Sequence, residues 1–294
     1  MSEVSERPRP TGWRRLLPPP WRNPPPVVGV VRCQGVIAAS TQFRTGVSMS
    51  SLAGPIQKAF SLGQLKAVAL LINSPGGSPV QSTLILKRVR ALAEEKKIPV
   101  FTFCEDVAAS GGYILALAGD EIFADRSSIV GSIGVISAGF GFVDAIGKLG
   151  IERRVYTAGE KKMTLDPFQP EKPDDITRLK AIQADIHETF KSIVRERRGD
   201  ALNGQEAEMF TGEFWTGPRA QELGLVDGIG DVRSVMRERF GDNVKLQLVS
   251  AERSWPWRRA TGFRLDGGAR LTDGLAEDLI QALEARALWS RYGL

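Results

Sequence analysis

Short apolar runs alternate along the chain with segments whose apolar residues recur every three to four positions. The short runs predict buried strands, and the periodic segments predict amphipathic helices. Strands are predicted at 27–31, 35–37, 67–72, 99–104, 121–124, 133–136 and 153–157. Helices are predicted at 50–62, 78–96, 110–118, 142–149 and 172–198, and a strand, turn and short helix at 212–227. This alternation is typical of an α/β fold, with a largely parallel sheet and helices on its faces.

The ends of the chain differ in composition from the middle. Residues 1–26 hold eight of the 17 prolines, and their five arginines and two glutamates give a formal charge of +3. Proline at this density disfavours helix and sheet. We therefore predict a flexible tail at 1–26, a folded domain at 27–240, and a C-terminal extension at 241–294 with an amphipathic helix over 271–289.

Arginine and tryptophan occur together in both flanks. Residues 251–264 carry four arginines, one glutamate, Trp255 and Trp257. This mixture suits a peripheral membrane surface, although a basic tail that only improves solubility fits equally well. No recognition element for nucleic acid accompanies it. No run of 18 apolar residues and no signal-peptide core is present, so we expect a cytoplasmic or peripherally membrane-associated protein. Cys33 and Cys104 have no metal-binding spacing and are expected in the core.

Ser110 is the first candidate for chemistry. It follows the strand-like run 99–104 and opens an apolar helix. A serine at such a turn lies beside the unpaired N–H groups of the first helical turn, where nucleophiles of acyl transfer act. The alternative is an N-cap serine, which satisfies the same N–H groups.

A glycine pair follows another predicted strand. Gly76 and Gly77 follow the run 67–72 after three intervening residues, at a position where glycine permits positive φ and close approach of the backbone to a substrate. Their N–H groups can stabilise an oxyanion. A third segment, 131–136, carries a hydroxyl at Ser132 on a short predicted strand.

These segments occur in the order seen in the signal peptide peptidase A family. The motifs are Ile72-Asn-Ser-Pro-Gly-Gly77, Ala109-Ser-Gly-Gly-Tyr113, Gly131-Ser-Ile-Gly-Val135, a glycine and lysine at Gly159 and Lys162, and the stretch 212–227. Over residues 27–240 the chain resembles the half-length, single-repeat members of that family of serine peptidases.

The resemblance implies a fold like that of the ClpP and crotonase superfamily and a Ser/Lys dyad. Ser110 would be the nucleophile, Lys162 the general base, and Ser132 an auxiliary hydroxyl that holds the lysine. Backbone N–H groups near Gly76, Gly77 and Gly111 would form the oxyanion hole. Neither a cofactor nor a metal is implied.

The family's partners and substrates follow in the same way. The resemblance implies peptide substrates such as remnant signal peptides or other hydrophobic membrane-derived peptides. It also implies a ring-shaped homo-oligomer in which neighbouring subunits share each dyad.

The choice of base rests on position and composition. Lys162 stands three residues after Gly159 and five before Pro167, as the family pattern requires, whereas Lys161 is expected to be solvated or to face substrate. The one histidine, His187, flanks the apolar stripe of the helix 172–198 and is expected to be structural or on the surface. A histidine-based triad would have to use it.

Two other functions remain open at this point. A crotonase-type acyl-CoA enzyme could share the fold and use 73–77 as an oxyanion hole. A non-catalytic peptide-binding scaffold of the same fold is the second alternative, and it would not need an intact serine and lysine.

Overall fold

The computed structural model describes residues 24–39, 46–159, 161–203, 205–250, 283 and 286–293. The predicted tail 1–26 except its last three residues, the basic flank 251–264 and most of the predicted helix 271–289 lie outside these residues. The strands are β1 Val27–Gln34, β2 Leu65–Ser74, β3 Val100–Ala109, β4 Glu121–Ala124, β5 Ile129–Gly131, β6 Phe214–Thr216, β7 Gly228–Ile229 and β8 Lys245–Leu248. The helices are α1 Met49–Ala59, α2 Pro79–Lys96, α3 Gly111–Ala116, α4 Val143–Lys148, α5 Pro173–Arg198, α6 Glu206–Met209, α7 Gly217–Glu222 and α8 Val232–Phe240.

The strands form one sheet in the order β6-β5-β3-β2-β1-β8. β3 pairs with β4 through its first half and with β5 through its last residues, and β4 also pairs with β7. All of these pairs are parallel except β5 with β6. Helices connect the parallel strands, as the chain requires when it must cross over between them. The α/β fold class with its largely parallel sheet and flanking helices is therefore confirmed.

The central strands are buried on both faces. From Ala67 to Ser74, every residue of β2 is buried, which is typical of a parallel strand covered by helices on both sides. Val68, Leu70 and Ile72 pack in a core with residues of α1, α2 and α3. Ala67 and Leu71 point to a second core that includes residues of α8. The sheet therefore separates two hydrophobic layers.

The cysteines belong to the first of these layers. Cys33 on β1 and Cys104 on β3 are free thiols in the core. Burial raises the pKa of each thiol to about 12. Their expected place in the core is confirmed.

Three predicted strands do not form as expected. Residues 133–136 have no strand pairing, because β5 ends at Gly131 and the backbone turns there through positive φ values at Gly131 and Ser132. Residues 153–157 are exposed and lie in no strand, since the described chain offers them no neighbouring strand to pair with. Between 35 and 37, only Ile37 forms isolated bridges.

Helix α5 is buried less than its apolar stripe predicts. Phe190 and Val194 near its C-terminal end are buried, but Ile182 is 50% exposed. The described residues cover the apolar face of the first half of the helix only in part.

A buried arginine joins the end of α5 to the segment after α7. Arg198 is 8% exposed; its Nε donates to the Gly224 carbonyl, and its two terminal nitrogens donate to the carboxylate of Asp227 at 2.9 and 3.0 Å. Asp227 also accepts from the Ile122 N–H at 2.7 Å. The arrangement fixes the 212–227 segment against the sheet.

We expect Arg198→Met to lower the free energy of unfolding by about 3 kcal/mol, because it leaves a partly buried carboxylate without its cation. Arg195→Met on the same helix is the matched control, since Arg195 pairs with exposed Glu188 and Glu206 and its loss should cost less than about 1 kcal/mol. Urea denaturation measures both. Equal losses would contradict a structural role for the Arg198 contacts.

Candidate active site

Ser110 lies between the last residue of β3 and the first residue of α3. Its φ of 53° and ψ of −121° are rare for a residue with a side chain. The backbone is fixed on both sides, because the Ser110 N–H donates to the Gly131 carbonyl at 2.8 Å and its carbonyl accepts from the Tyr113 N–H at 2.9 Å. The side chain makes no capping hydrogen bond to α3. The N-cap alternative is therefore not what the structure shows, and the hydroxyl is half-buried and free of the helix.

The loop after β2 approaches this turn closely. Gly76 and Gly77 have φ values of 100° and 137°. A Cβ on Gly76 would lie 2.8 Å from the Ser110 Cβ, and one on Gly77 would lie 2.1 Å from the Ile37 carbonyl oxygen. Only glycine fits at either position, since both the backbone conformation and the space exclude a side chain.

The N–H groups of this loop differ in their partners. The Gly76 N–H donates to Ser74 Oγ at 3.2 Å. Within the described part of the chain, the N–H groups of Gly77 and Gly111 donate to no acceptor. They lie close together, because a Cβ on Gly111 would be 3.4 Å from the Gly77 nitrogen. Unpaired N–H groups beside a serine can bind a developing negative charge.

Asn73 and Asp106 form hydrogen bonds near the carboxyl ends of the central strands β2 and β3. The Asn73 side chain donates to the Asp106 carboxylate and accepts from the Val107 N–H. This exchange bridges the register shift where β2 and β3 separate. These hydrogen bonds therefore connect β2, which precedes the Gly76–Gly77 loop, to β3, which precedes the Ser110 turn.

Ser132 follows the residue whose carbonyl binds the Ser110 N–H. It is 4% exposed, has a φ of 53°, and donates its N–H to the Glu213 carbonyl at 2.7 Å. Its Oγ accepts from the hydroxyl of Tyr292 at 3.2 Å. The structure therefore brings Ser110, Ser132 and the three glycines together at the carboxyl ends of β2, β3 and β5.

The two candidate lysines lie elsewhere. Lys161 and Lys162 are exposed in the connection between α4 and α5, and the Lys162 N–H donates to the Gly159 carbonyl at 3.1 Å. No lysine is among the described residues that line the cleft at Ser110. A single chain thus does not bring Lys162 to Ser110. His187 is not among the described residues that line this cleft either, and its Nε2 is 3.0 Å from the Ile133 carbonyl oxygen, which agrees with a structural histidine.

A cleft of about 520 Å³ opens beside Ser110. Most of its lining is apolar, with large side chains from Val80, Ile114, Val135, Ile136, Phe190 and Leu288. The C-terminal residues Leu288 and Arg291 at this cleft, and Tyr292 beneath Ser132, are contributions that sequence reasoning missed. No motif marks them, and their contacts span some 160 to 180 positions of sequence.

The structure is thus an α/β protein in which a serine, two N–H groups without an acceptor among the described residues, and an apolar cleft lie together at the carboxyl ends of parallel strands. Residues 92–245 match Peptidase family S49. A putative protease, slr0021, from Synechocystis is 32% identical over 242 residues, which cover 80% of this chain and 85% of that protein. The chain belongs to Peptidase family S49.

Other relatives are longer proteins. The Na(+)/H(+) antiporter NhaA of Brucella abortus is 52% identical over 286 residues, 96% of this chain and 39% of that protein. The chloroplastic serine protease SPPA of Arabidopsis thaliana is 31% identical over 233 residues, 72% of this chain and 34% of that protein. The chain spans about two fifths of the length of the Brucella relative and a third of the Arabidopsis one. None of the helices in the described residues is long and apolar enough to cross a membrane.

We expect Gly76→Ala to slow covalent labelling of the protein by a fluorophosphonate probe at least about 10-fold, because the new methyl group must displace Ser110 or the Gly111 N–H. Gly63→Ala is the matched control, since a Cβ at that position would have no described residue other than its two chain neighbours within 4 Å. Labelling rates and melting temperatures measured together separate a local effect from unfolding. Full-rate labelling of folded Gly76→Ala would show that the close approach is not required.

Proposed function

We propose that this chain is a serine endopeptidase that works through an acyl-enzyme, with Ser110 as its nucleophile. The observation that carries the proposal is the Ser110 turn itself. A positive φ holds a serine without capping bonds beside two unpaired N–H groups, at the mouth of a cleft. This is the geometry that attack on a carbonyl and stabilisation of the resulting oxyanion both need.

The proposed reaction gives a role to the serine, to the general base and to the N–H groups of the site. The Ser110 Oγ attacks the peptide carbonyl while the general base takes its proton. The oxyanion accepts hydrogen bonds from the N–H groups of Gly77 and Gly111, and Gly76, whose own N–H is bonded to Ser74, provides the close approach. The base returns the proton to the leaving amine, and water then hydrolyses the ester. None of these steps uses a cofactor.

The proposed base is Lys162 of a neighbouring copy of the chain. A lysine must be neutral to accept a proton, which requires burial away from carboxylates. Lys162 is exposed in the single chain, and the segment around it exposes large apolar side chains: Phe140, Leu149, Ile151 and Tyr156. A second copy packed on this segment would bury both these side chains and the lysine. The proposal therefore includes a ring-shaped homo-oligomer with a shared dyad and with Ser132 as the residue that holds the lysine.

The cleft supports an apolar peptide as substrate. Val80 and Ile136 line it and are 64% and 62% exposed, so a substrate side chain laid on them would remove apolar surface from water. We therefore propose extended peptides with apolar side chains, such as remnant signal peptides or other membrane-derived peptides. A peripheral membrane surface would suit such substrates, and the basic tails remain the predicted means of attachment.

We expect Ser110→Ala to abolish covalent labelling by a fluorophosphonate and hydrolysis of an apolar peptide, with the fold unchanged. Ser127→Ala, at an exposed serine, is the matched control and should retain both. Lys162→Arg should be as inactive as Lys162→Ala, because a guanidinium does not give up its proton, whereas Lys161→Ala should keep most activity. Labelling that survives in Ser110→Ala would exclude Ser110 as nucleophile, and a reversed result at 161 and 162 would move the base by one residue.

A shared dyad can be tested by mixing two inactive variants. Co-expressed Ser110→Ala and Lys162→Ala chains should recover part of the wild-type activity, because some interfaces then pair an intact Ser110 with an intact Lys162. Differently tagged chains allow the mixed oligomers to be purified and their peptidase activity to be measured. Purified mixed oligomers without activity would contradict a dyad shared between chains.

A further inference from the structure

The C-terminal residues 286–293 form one wall of the Ser110 cleft. Tyr292 anchors them: it is 9% exposed, packs with Val107 and Ala109 of β3, and places its ring edge-on to Phe214 at 5.1 Å between centroids. Its hydroxyl donates to Ser132 Oγ. The wall is thus fixed by apolar packing and by one buried hydrogen bond, beside the strand ends that carry Ser110 and Ser132.

Two side chains of this wall line the cleft, Leu288 and Arg291. Of the described residues that line it, Arg291 is the one with a charge. Its guanidinium carbon lies 5.9 Å from the centre of the Tyr292 ring, and it forms no hydrogen bond or ion pair with another residue that the structure describes. Among the described residues, the lining of the cleft therefore presents an exposed cation with no counter-charge beside apolar side chains.

A guanidinium in that setting favours a carboxylate. Its planar N–H groups match the two carboxylate oxygens, and such a pair strengthens as apolar surfaces displace water around it. The neighbouring Leu288 and Val80 favour an apolar side chain in the same cleft. A ligand that satisfies both features is a peptide with an apolar residue close to a carboxylate.

We propose that Arg291 is a specificity-determining residue, which selects peptides that carry a carboxylate near the bond to be cleaved. The inference rests on the proposed peptidase function of Ser110. The carboxylate can belong to an Asp or Glu side chain or to the C-terminus of the peptide.

The test compares matched apolar peptides on the full-length chain. One series replaces each position in turn by Glu or by Gln, and a second pair ends in a free acid or in an amide. In wild type, the best acidic peptide should exceed its neutral partner in kcat/KM by about 10-fold to 100-fold, as for a charge-assisted hydrogen bond. The series that shows the preference identifies the source of the carboxylate.

Arg291→Gln should reduce this ratio to near one, whereas Arg291→Lys should retain part of it because the charge remains. Arg286→Gln is the matched control on the same segment, at an exposed arginine outside the cleft lining, and should leave the ratio unchanged. A wild-type ratio near one in both series, or an unchanged ratio in Arg291→Gln, would overturn the proposal.

The same ratio is measured as peptide Kd by fluorescence anisotropy in the Ser110→Ala background. This readout does not depend on catalysis. A carboxylate preference in binding that Arg291→Gln removes supports the selection even if no peptide is cleaved, and absence of cleavage counts against the peptidase function alone.

Discussion

The site depends on one close approach between backbones. Gly76 lies so near Ser110 that a methyl group would come within 2.8 Å of its Cβ, and Gly77 meets the Ile37 carbonyl in the same way. Backbones come this close only where side chains are absent, and the parallel strands β2 and β3 carry the two loops to one edge of the sheet. The serine, its neighbouring N–H groups and the cleft all follow from this contact.

Residues from distant parts of the chain lie at the same end of the sheet. Ser132 reaches it because β5 pairs with the last residues of β3, and Tyr292 reaches Ser132 from the C-terminus. The strain at Ser110 and Ser132, both with φ of 53°, is maintained by backbone hydrogen bonds to Gly131 and Glu213. Strained conformations of this kind persist where surrounding structure determines them, and they concentrate at functional sites.

The connection between β5 and α5 differs from the buried strand ends in its exposure to solvent. It carries Lys162 and exposes several large apolar side chains, among them Phe140, Leu149 and Tyr156. A surface of that kind on one chain is characteristic of an interaction site. The separation of Lys162 from Ser110 and the exposure of this connection have one common explanation in the proposed assembly, in which burial of the connection also completes the dyad.

The sequence by itself determined the α/β class, most strands and helices, the core cysteines and the turn at Ser110, because hydrophobic periodicity and glycine-rich turns are local signals. It placed strands wrongly at 133–136 and 153–157, since an apolar or β-branched run forms a strand only if a neighbour pairs with it. The tertiary structure alone decided that Lys162 lies away from Ser110 and that Arg291 and Tyr292 join the site. These outcomes depend on contacts between residues far apart in the chain, which no local pattern encodes.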